Sequence, residues 1–518
     1  MKRLSVLLLC LCLLLTGCAA GESAYVPTGD GLSYDEDYTG PQTTTAPPET
    51  EQTLTFAYYP QENFNPYRCT DYTNRALFSL LYQSLFTVDR DYVVEPQLCK
   101  SFTVSQDMMT YTFYPERASF SNGSFLTAED VLASLNAAKE SEYYGGRFFH
   151  VTEIAQTSDG GVTIRLDTPY EDLPVLLDIP IVKASQVAED RPMGTGPYVL
   201  HTSENGDILK RRTSWWCNVD MAVTAPTIAL FPAESTIHIR DQFQFFDLSL
   251  VCADPGSDRY ADYRCDYELW DCENGIFLYL ATCANSKVFS NDEVRSALTY
   301  AIDRDTLVAN YYRGFARSTT LPVSPESPYY SQVLAEKYSY NGVKFAQAVK
   351  DAGLEGSEIL FVVNKDDSLR LRLARDIAQM LEDCGLKVQL QELSGYKYVD
   401  ALKEWNFDIY LGQTKLSANM DLSAFFHTYG DLSWGGVNDV TAYTMCLQSL
   451  ENHGNYYTLH KTVMDNGLIC PILFRSYAVY AVRGLLTELT PARDNVFYYS
   501  MGRSLENAKT VLKDPVSE

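Results

Sequence analysis

The chain has 518 residues, 46% of them hydrophobic and 13% aromatic, and a formal net charge of −26 at pH 7. That length and apolar content suit a globular molecule of two or more lobes and exclude a wholly disordered chain. So acidic a surface makes nucleic acid and anionic lipid headgroups poor partners and would favour a cationic ligand, with solubility outside a cell the preferred reason for it.

Lys2 and Arg3 precede an almost wholly apolar stretch at 4–15. This is shorter than the about 20 residues a membrane-spanning helix needs, and no later segment is continuous enough to span a bilayer. "TGC" follows at 16–18, and the arrangement resembles the lipobox of bacterial lipoproteins. The resemblance implies a signal peptide at 1–17, lipid attachment at Cys18, and anchoring on the outer face of the cell membrane. Residues 19–52 carry acids but no Lys or Arg, and "PQTTTAPPET" (41–50) adds Pro and Thr; 18–52 is therefore expected to be a disordered tether.

The folded part opens with "QTLTFAYYP" (52–60), an alternating strand pattern closed by Pro60, and "RALFSLLYQSLFTV" (75–88) has apolar residues at helical spacing. Residues 110–138 read as strand, an Asn122-Gly123 turn, then a helix with Thr127 and Asp130 as a capping box. "MGTGPYVLHTSENGDILKRR" (193–212) reads as a glycine-rich turn, in which Gly194 and Gly196 are expected to take special backbone angles, and a hairpin tipped by Asn205-Gly206. A strand is expected at 275–282 and one amphipathic helix at 290–312, capped by Asn291 or Asp292. Helices at 343–352, 368–384 and 396–404 then alternate with strands at 358–363, 386–393 and 407–412, which implies βαβ units and an α/β class.

Ten cysteines follow Cys18; Cys252, Cys265, Cys272 and Cys283 are the densest group, and their pairing stays open. No cofactor and no metal site is expected: there is no CxxC, and six scattered histidines lack ligand spacing. The 37 tyrosines include doublets such as Tyr58-Tyr59 and Tyr143-Tyr144, whose flat faces and hydroxyls suit ligand clefts. HExxH and G-x-S-x-G are absent; "SGYK" (394–397) matches S-x-x-K without companions, so a surface hydrolase using Ser394 is the weaker alternative.

Five stretches carry a wider resemblance: 79–114, 118–135, "GTGPYVL" (194–200), 292–316 and 373–390. Together, in that order, they resemble the extracellular solute-binding proteins of family 5, which include the oligopeptide-, dipeptide- and nickel-binding receptors of ABC importers. The resemblance implies a bilobal periplasmic-binding-protein-like fold of type II, with an inserted subdomain (about 76–190) on lobe one (53–270). It further implies lobe two at 271–475, crossings near 270–277 and 467–477, and a C-terminal return (476–518) to lobe one. The implied function is capture of a solute, peptide by first choice and a metal chelate or oligosaccharide otherwise, by a non-enzymatic monomer that delivers it to the importer's permease subunits. Expected ligand-binding residues are Tyr58, Tyr59, Asn63 and Asn65 after the first strand, and Gly412, Gln413, Thr414, Lys415 and Asp421 in "FDIYLGQTKLSANMDLSAFF" (407–426). Relatives place an amine-binding aspartate where this chain has Lys415 or Leu416; Asp421 is the nearest acid, and Lys415 either favours an anionic group or, by preference, points to solvent.

Overall fold

A computed structural model describes residues 54–512 except 205, 256–262, 264 and 487; Cys18, the leader, the tether and Asn205 lie outside the described residues. Among these, one large mixed sheet organises the chain. Its strands run Tyr198–Ser203, Gly206–Arg211, Thr227–Pro232, Leu54–Tyr58, Leu250–Ala253, Cys470–Val482, Tyr267–Thr282, Ile409–Lys415, Glu358–Asn364 and Lys387–Leu393. Ala316–Ser318 joins from the side, on Cys470–Val482. The expected alternation in the last third is present: 358–364 pairs in parallel with both 387–393 and 409–415. The intervening helices bury Phe345, Val349, Leu373 and Ile377 in a separate apolar cluster with Ile359 and Phe361.

Two long strands join the sheet's halves. Tyr267–Thr282 and Cys470–Val482 pair antiparallel, and the first ends against 409–415 while the second ends against 250–253. Their register breaks between Glu273 and Phe277, where Gly275 adopts φ 68°. A Cβ at Gly275 would meet Arg493 Nη2 at 2.0 Å and Leu416 O at 2.7 Å, so only glycine leaves room for that arginine to reach the backbone.

A second sheet orders Lys509–Val511, Cys99–Val104, Thr110–Pro115, Val162–Leu166 and Val151–Gln156. Beside it the helix Ala128–Lys139 starts with the predicted Thr127–Asp130 capping box. Residues 142–176, between and around these last strands, form one side of the site described below.

Three local expectations are corrected. Residues 75–88 do not form one helix: a turn at Phe78–Leu81 is followed by strands Gln83–Ser84 and Phe86–Val88. Their side chains are buried on both sides against Pro180–Ile181 and Val94–Pro96, so the apolar run carried no usable period. The 290–312 helix is broken into Asp292–Ala297, a tighter turn at Leu298–Ala301, and Arg304–Tyr311. Asp303 caps the second helix through the Thr306 amide, and buried Arg304 donates to the carbonyls of Thr299, Ile302 and Pro471, bonds that an unbroken helix would not allow. Gly194 and Gly196 have no positive φ; added Cβ atoms there would lie 2.2 Å and 2.6 Å from Leu81 O, so close approach and not a special turn requires them.

Candidate functional site

A cavity of about 250 Å3 lies between the segment 142–176 and the chain leaving the strand Ile409–Lys415. Phe149, Leu166, Tyr170, Leu173, Leu176 and Phe425 supply apolar wall; Arg147, His150 and Lys415 supply basic groups, Glu142, Asp421 and Asp431 carboxylates, and Asn419 an amide. Apolar side chains and convergent polar groups share the wall, and such a concave mixture suits a small polar molecule.

Of the residues expected from the sequence, Thr414, Lys415 and Asp421 wall this cavity. The others do not. The Tyr58 hydroxyl donates to Asp207 at 2.9 Å, and burial followed by that carboxylate pushes its pKa up to about 12. The Tyr59 amide donates to Asn74 Oδ1, and Asn63 accepts from the Asn65 amide. Asn65 donates to the carbonyls of Val187 and Glu189, both at 2.8 Å. Gly412 backs onto the Tyr279 ring, which a Cβ would approach to 2.4 Å, and Gln413 accepts from Arg475 at 3.2 Å.

Lys415 corrects the expectation of solvent exposure: its ammonium is ion-paired with Asp494 and donates to the Asn274 carbonyl. Burial lowers its pKa and the Asp494 charge opposes that; Asp494 itself is held below the ordinary carboxylate value, despite burial, by Lys415, Arg493 and Arg75. A lysine can sit here only because the C-terminal segment brings a carboxylate to it.

Asp421 reaches the cavity already engaged. Its Oδ1 accepts from the Ser423 hydroxyl at 2.7 Å and the Ser423 amide at 3.0 Å, and its Oδ2 lies 3.5 Å from His150 Nε2. His150 also faces Ser423 Oγ at 3.1 Å through Nε2 and Asp167 at 2.9 Å through Nδ1. Burial opposes charge on the imidazole, but the Asp421 hydrogen bond and charge, then Asp167, outweigh it and raise its pKa above 6.5. Burial likewise opposes the Asp421 charge, and His150 and Ser423 outweigh it and lower its pKa below 3.8. The group is a charged clasp between 142–176 and 417–432. Serine, histidine and aspartate stand within reach of one another, yet Ser423 is fully buried and gives its proton to Asp421, so His150 does not activate it. Ser394 starts the helix Gly395–Lys403 and lies outside the cavity wall, and Lys397 is exposed.

The sequence reading missed Tyr143, Arg147 and His150, all on 142–176, together with Arg493 and Asp494. Arg147 is ion-paired with Asp178, and Tyr143 stacks on the Arg75 guanidinium with 3.2 Å from ring centre to carbon. The Tyr143-Tyr144 doublet was the one usable signal. Of the dense cysteine group, Cys265, Cys272 and Cys283 are free thiols. No group of three or more His, Cys, Asp or Glu able to hold a metal occurs among the described residues, and no helix among them is long and apolar enough to cross a membrane.

Comparison with known proteins places these features. The chain is similar to the glutathione-binding protein GsiB of Salmonella choleraesuis, at 25% identity over 63% of this chain and 66% of that protein, so the match spans just under two thirds of the relative's length. Among solved structures it resembles NikA from Brucella suis in complex with Fe(III)-EDTA, with TM-score 0.69 and 19% identity over 86% of this chain and 98% of that one. It also resembles the oligopeptide-binding protein AppA from Bacillus subtilis in complex with a nonapeptide, with TM-score 0.61 and 18% identity over 86% and 97%. These likenesses establish the predicted periplasmic-binding-protein fold. Residues 93–436 match the model described as "Bacterial extracellular solute-binding proteins, family 5 Middle", and the chain belongs to that family.

Proposed function

We propose that this protein is the solute receptor of an ABC importer, tethered through a lipid on Cys18, and that its solute is small, peptide-like and carries at least one carboxylate. The observation that carries the reading is the charge around the cavity: Arg147 and Lys415 stand in its wall, while Asp421, the acid nearest the place of an amine anchor, is committed to His150 and Ser423. Glu142 and Asp431, both exposed, also stand in the wall, but an anionic group meets Arg147 and Lys415, whose present carboxylate partners, Asp178 and Asp494, lie outside the cavity. The volume of about 250 Å3 sits below the usual ligand range of roughly 300–1,000 Å3 and suits a solute of very few residues. Glutathione and Fe(III)-EDTA, named with two of the similar proteins, are both carboxylate-rich, which agrees with an acidic solute.

On this reading the lobes at 53–270 and 271–475 close over the solute, and the His150 clasp adds to the closed state's stability without any chemical step. On this reading the protein binds and delivers its solute, and Ser423, which donates to Asp421, takes part as a structural group.

The test is a native mass spectrum of the protein purified without refolding. A retained adduct that fragments as an acidic peptide supports the reading, and Arg147→Ala should lose it. An adduct with the mass of a neutral sugar overturns it, and a metal-chelate mass would keep the receptor role while replacing the peptide.

A further inference from the structure

Beside the main cavity lies a second chamber of about 80 Å3, walled by Arg75, Ser79, Gln83, Arg493, Asn495 and Tyr499 among others. Tyr143 and Arg147 belong to the walls of both spaces. The Lys415–Asp494 pair stands between them, with Lys415 in the larger wall and Asp494 in the smaller.

Two features of the chamber are unexplained by the fold. First, Ser79 Oγ, Arg493 Nε and Asn495 Oδ1 are buried without a hydrogen-bond partner. A buried donor left unpaired costs about 1–3 kcal/mol, and more when it is charged, so such groups collect where something else is bound. Second, the charges do not balance. Arg147 has Asp178 and Lys415 has Asp494, but no carboxylate among the described residues lies within ion-pair distance of Arg75 or Arg493. Arg75 is held by the carbonyls of Pro66 and Cys69 and the Tyr144 hydroxyl, and Arg493, 5% exposed, by the Leu416 carbonyl. Asp494 stands near enough to both guanidiniums for them to hold its pKa down, but it is ion-paired with Lys415, so in a chain of net charge −26 the cations around the chamber outnumber its carboxylates locally.

We propose that this chamber is a carboxylate subsite, which takes the anionic end of the captured solute between Arg493 and Arg75 while the body of the solute occupies the larger cavity. The proposal rests on the receptor reading above for the solute but not for the anion. Ser79 adds a neutral donor, and Asn495 accepts from the wall or from a water that enters with the carboxylate. The volume, several times that of one water, admits a carboxylate and little more.

The probe is acetate. The unfolding midpoint of the full chain is followed with rising potassium acetate against potassium chloride at equal ionic strength. The expected result is a saturating, acetate-specific rise in the wild type. Arg493→Gln should weaken the apparent acetate affinity about tenfold or more. Ser79→Ala, which removes no protein contact and so leaves folding intact, should weaken it several-fold. A linear rise shared equally by wild type and both variants is a general salt effect and overturns the subsite. Native mass spectrometry separates the two readings. Bound solute with no saturating acetate response removes the chamber alone, and a saturating response with only neutral solutes bound removes the acidic-solute reading alone.

Discussion

His150 holds its charge against burial because two carboxylates and a hydroxyl face it, and this fixes how the clasp answers to pH. Its folded pKa lies above 6.5, so its contribution to stability is whole below 6.5 and is lost as pH rises through the folded value. Asp421 lies below 3.8, so its contribution is whole above 3.8 and is lost as pH falls through its folded value. The clasp is therefore complete between those limits. Unfolding midpoints recorded from about pH 5 to 9 should fall for the wild type relative to His150→Gln as pH passes 6.5, and parallel curves would remove the clasp. Asn65 tests the opposite kind of role. Asn65→Ala strips the Val187 and Glu189 carbonyls of a donor and should cost about 1–3 kcal/mol in denaturant unfolding, with solute affinity of the folded protein unchanged. At this scale little of the site was legible. His150 and Ser423 are 273 positions apart, and nothing local to either marks the other as its partner. Lys415 reads as a surface lysine until the residue 79 positions later, Asp494, is seen beside it.

The elements that could be read are those whose stability is local. The helices Gly342–Asp351, Ser368–Asp383 and Gly395–Lys403 carry clear periods because each buries one face, and Thr127 with Asp130, and Asn291, cap their helices locally. Residues 83–88 failed for the complementary reason: strands buried on both faces show no alternation. The break at Ile302 was hidden as well, since it depends on Arg304 reaching the carbonyl of Pro471 on a distant strand. Two predictions belong here. Gly196→Ala forces a methyl group to 2.6 Å from the Leu81 carbonyl, and should destabilise by about 1–3 kcal/mol or shift that turn. Lys415→Met leaves Asp494 without its ion-pair partner and should cost roughly 3–5 kcal/mol, with a second change, Asp494→Asn, recovering a large part. Equal losses for the single and double variants would show that the pair contributes nothing.

Over the whole molecule, family and fold were legible because five stretches in the right order specify the scaffold, and the scaffold's sheet is built from locally patterned strands. The solute was not, because the cavity is assembled from 142–176, from 414–432 and, behind Lys415, from Asp494, segments that meet only after folding. What emerges is an acidic protein with cations gathered at one interior place, where Arg75, Arg147, Lys415 and Arg493 outnumber Asp178 and Asp494. The most direct test is a calorimetric titration of the full chain with short peptides, each as the free acid and as its C-terminal amide. The expected result is binding of acids that weakens about tenfold or more on amidation, with a further loss in Arg147→Ala. Amides that bind as well as their acids, or binding confined to uncharged solutes, would contradict an anion-reading cavity.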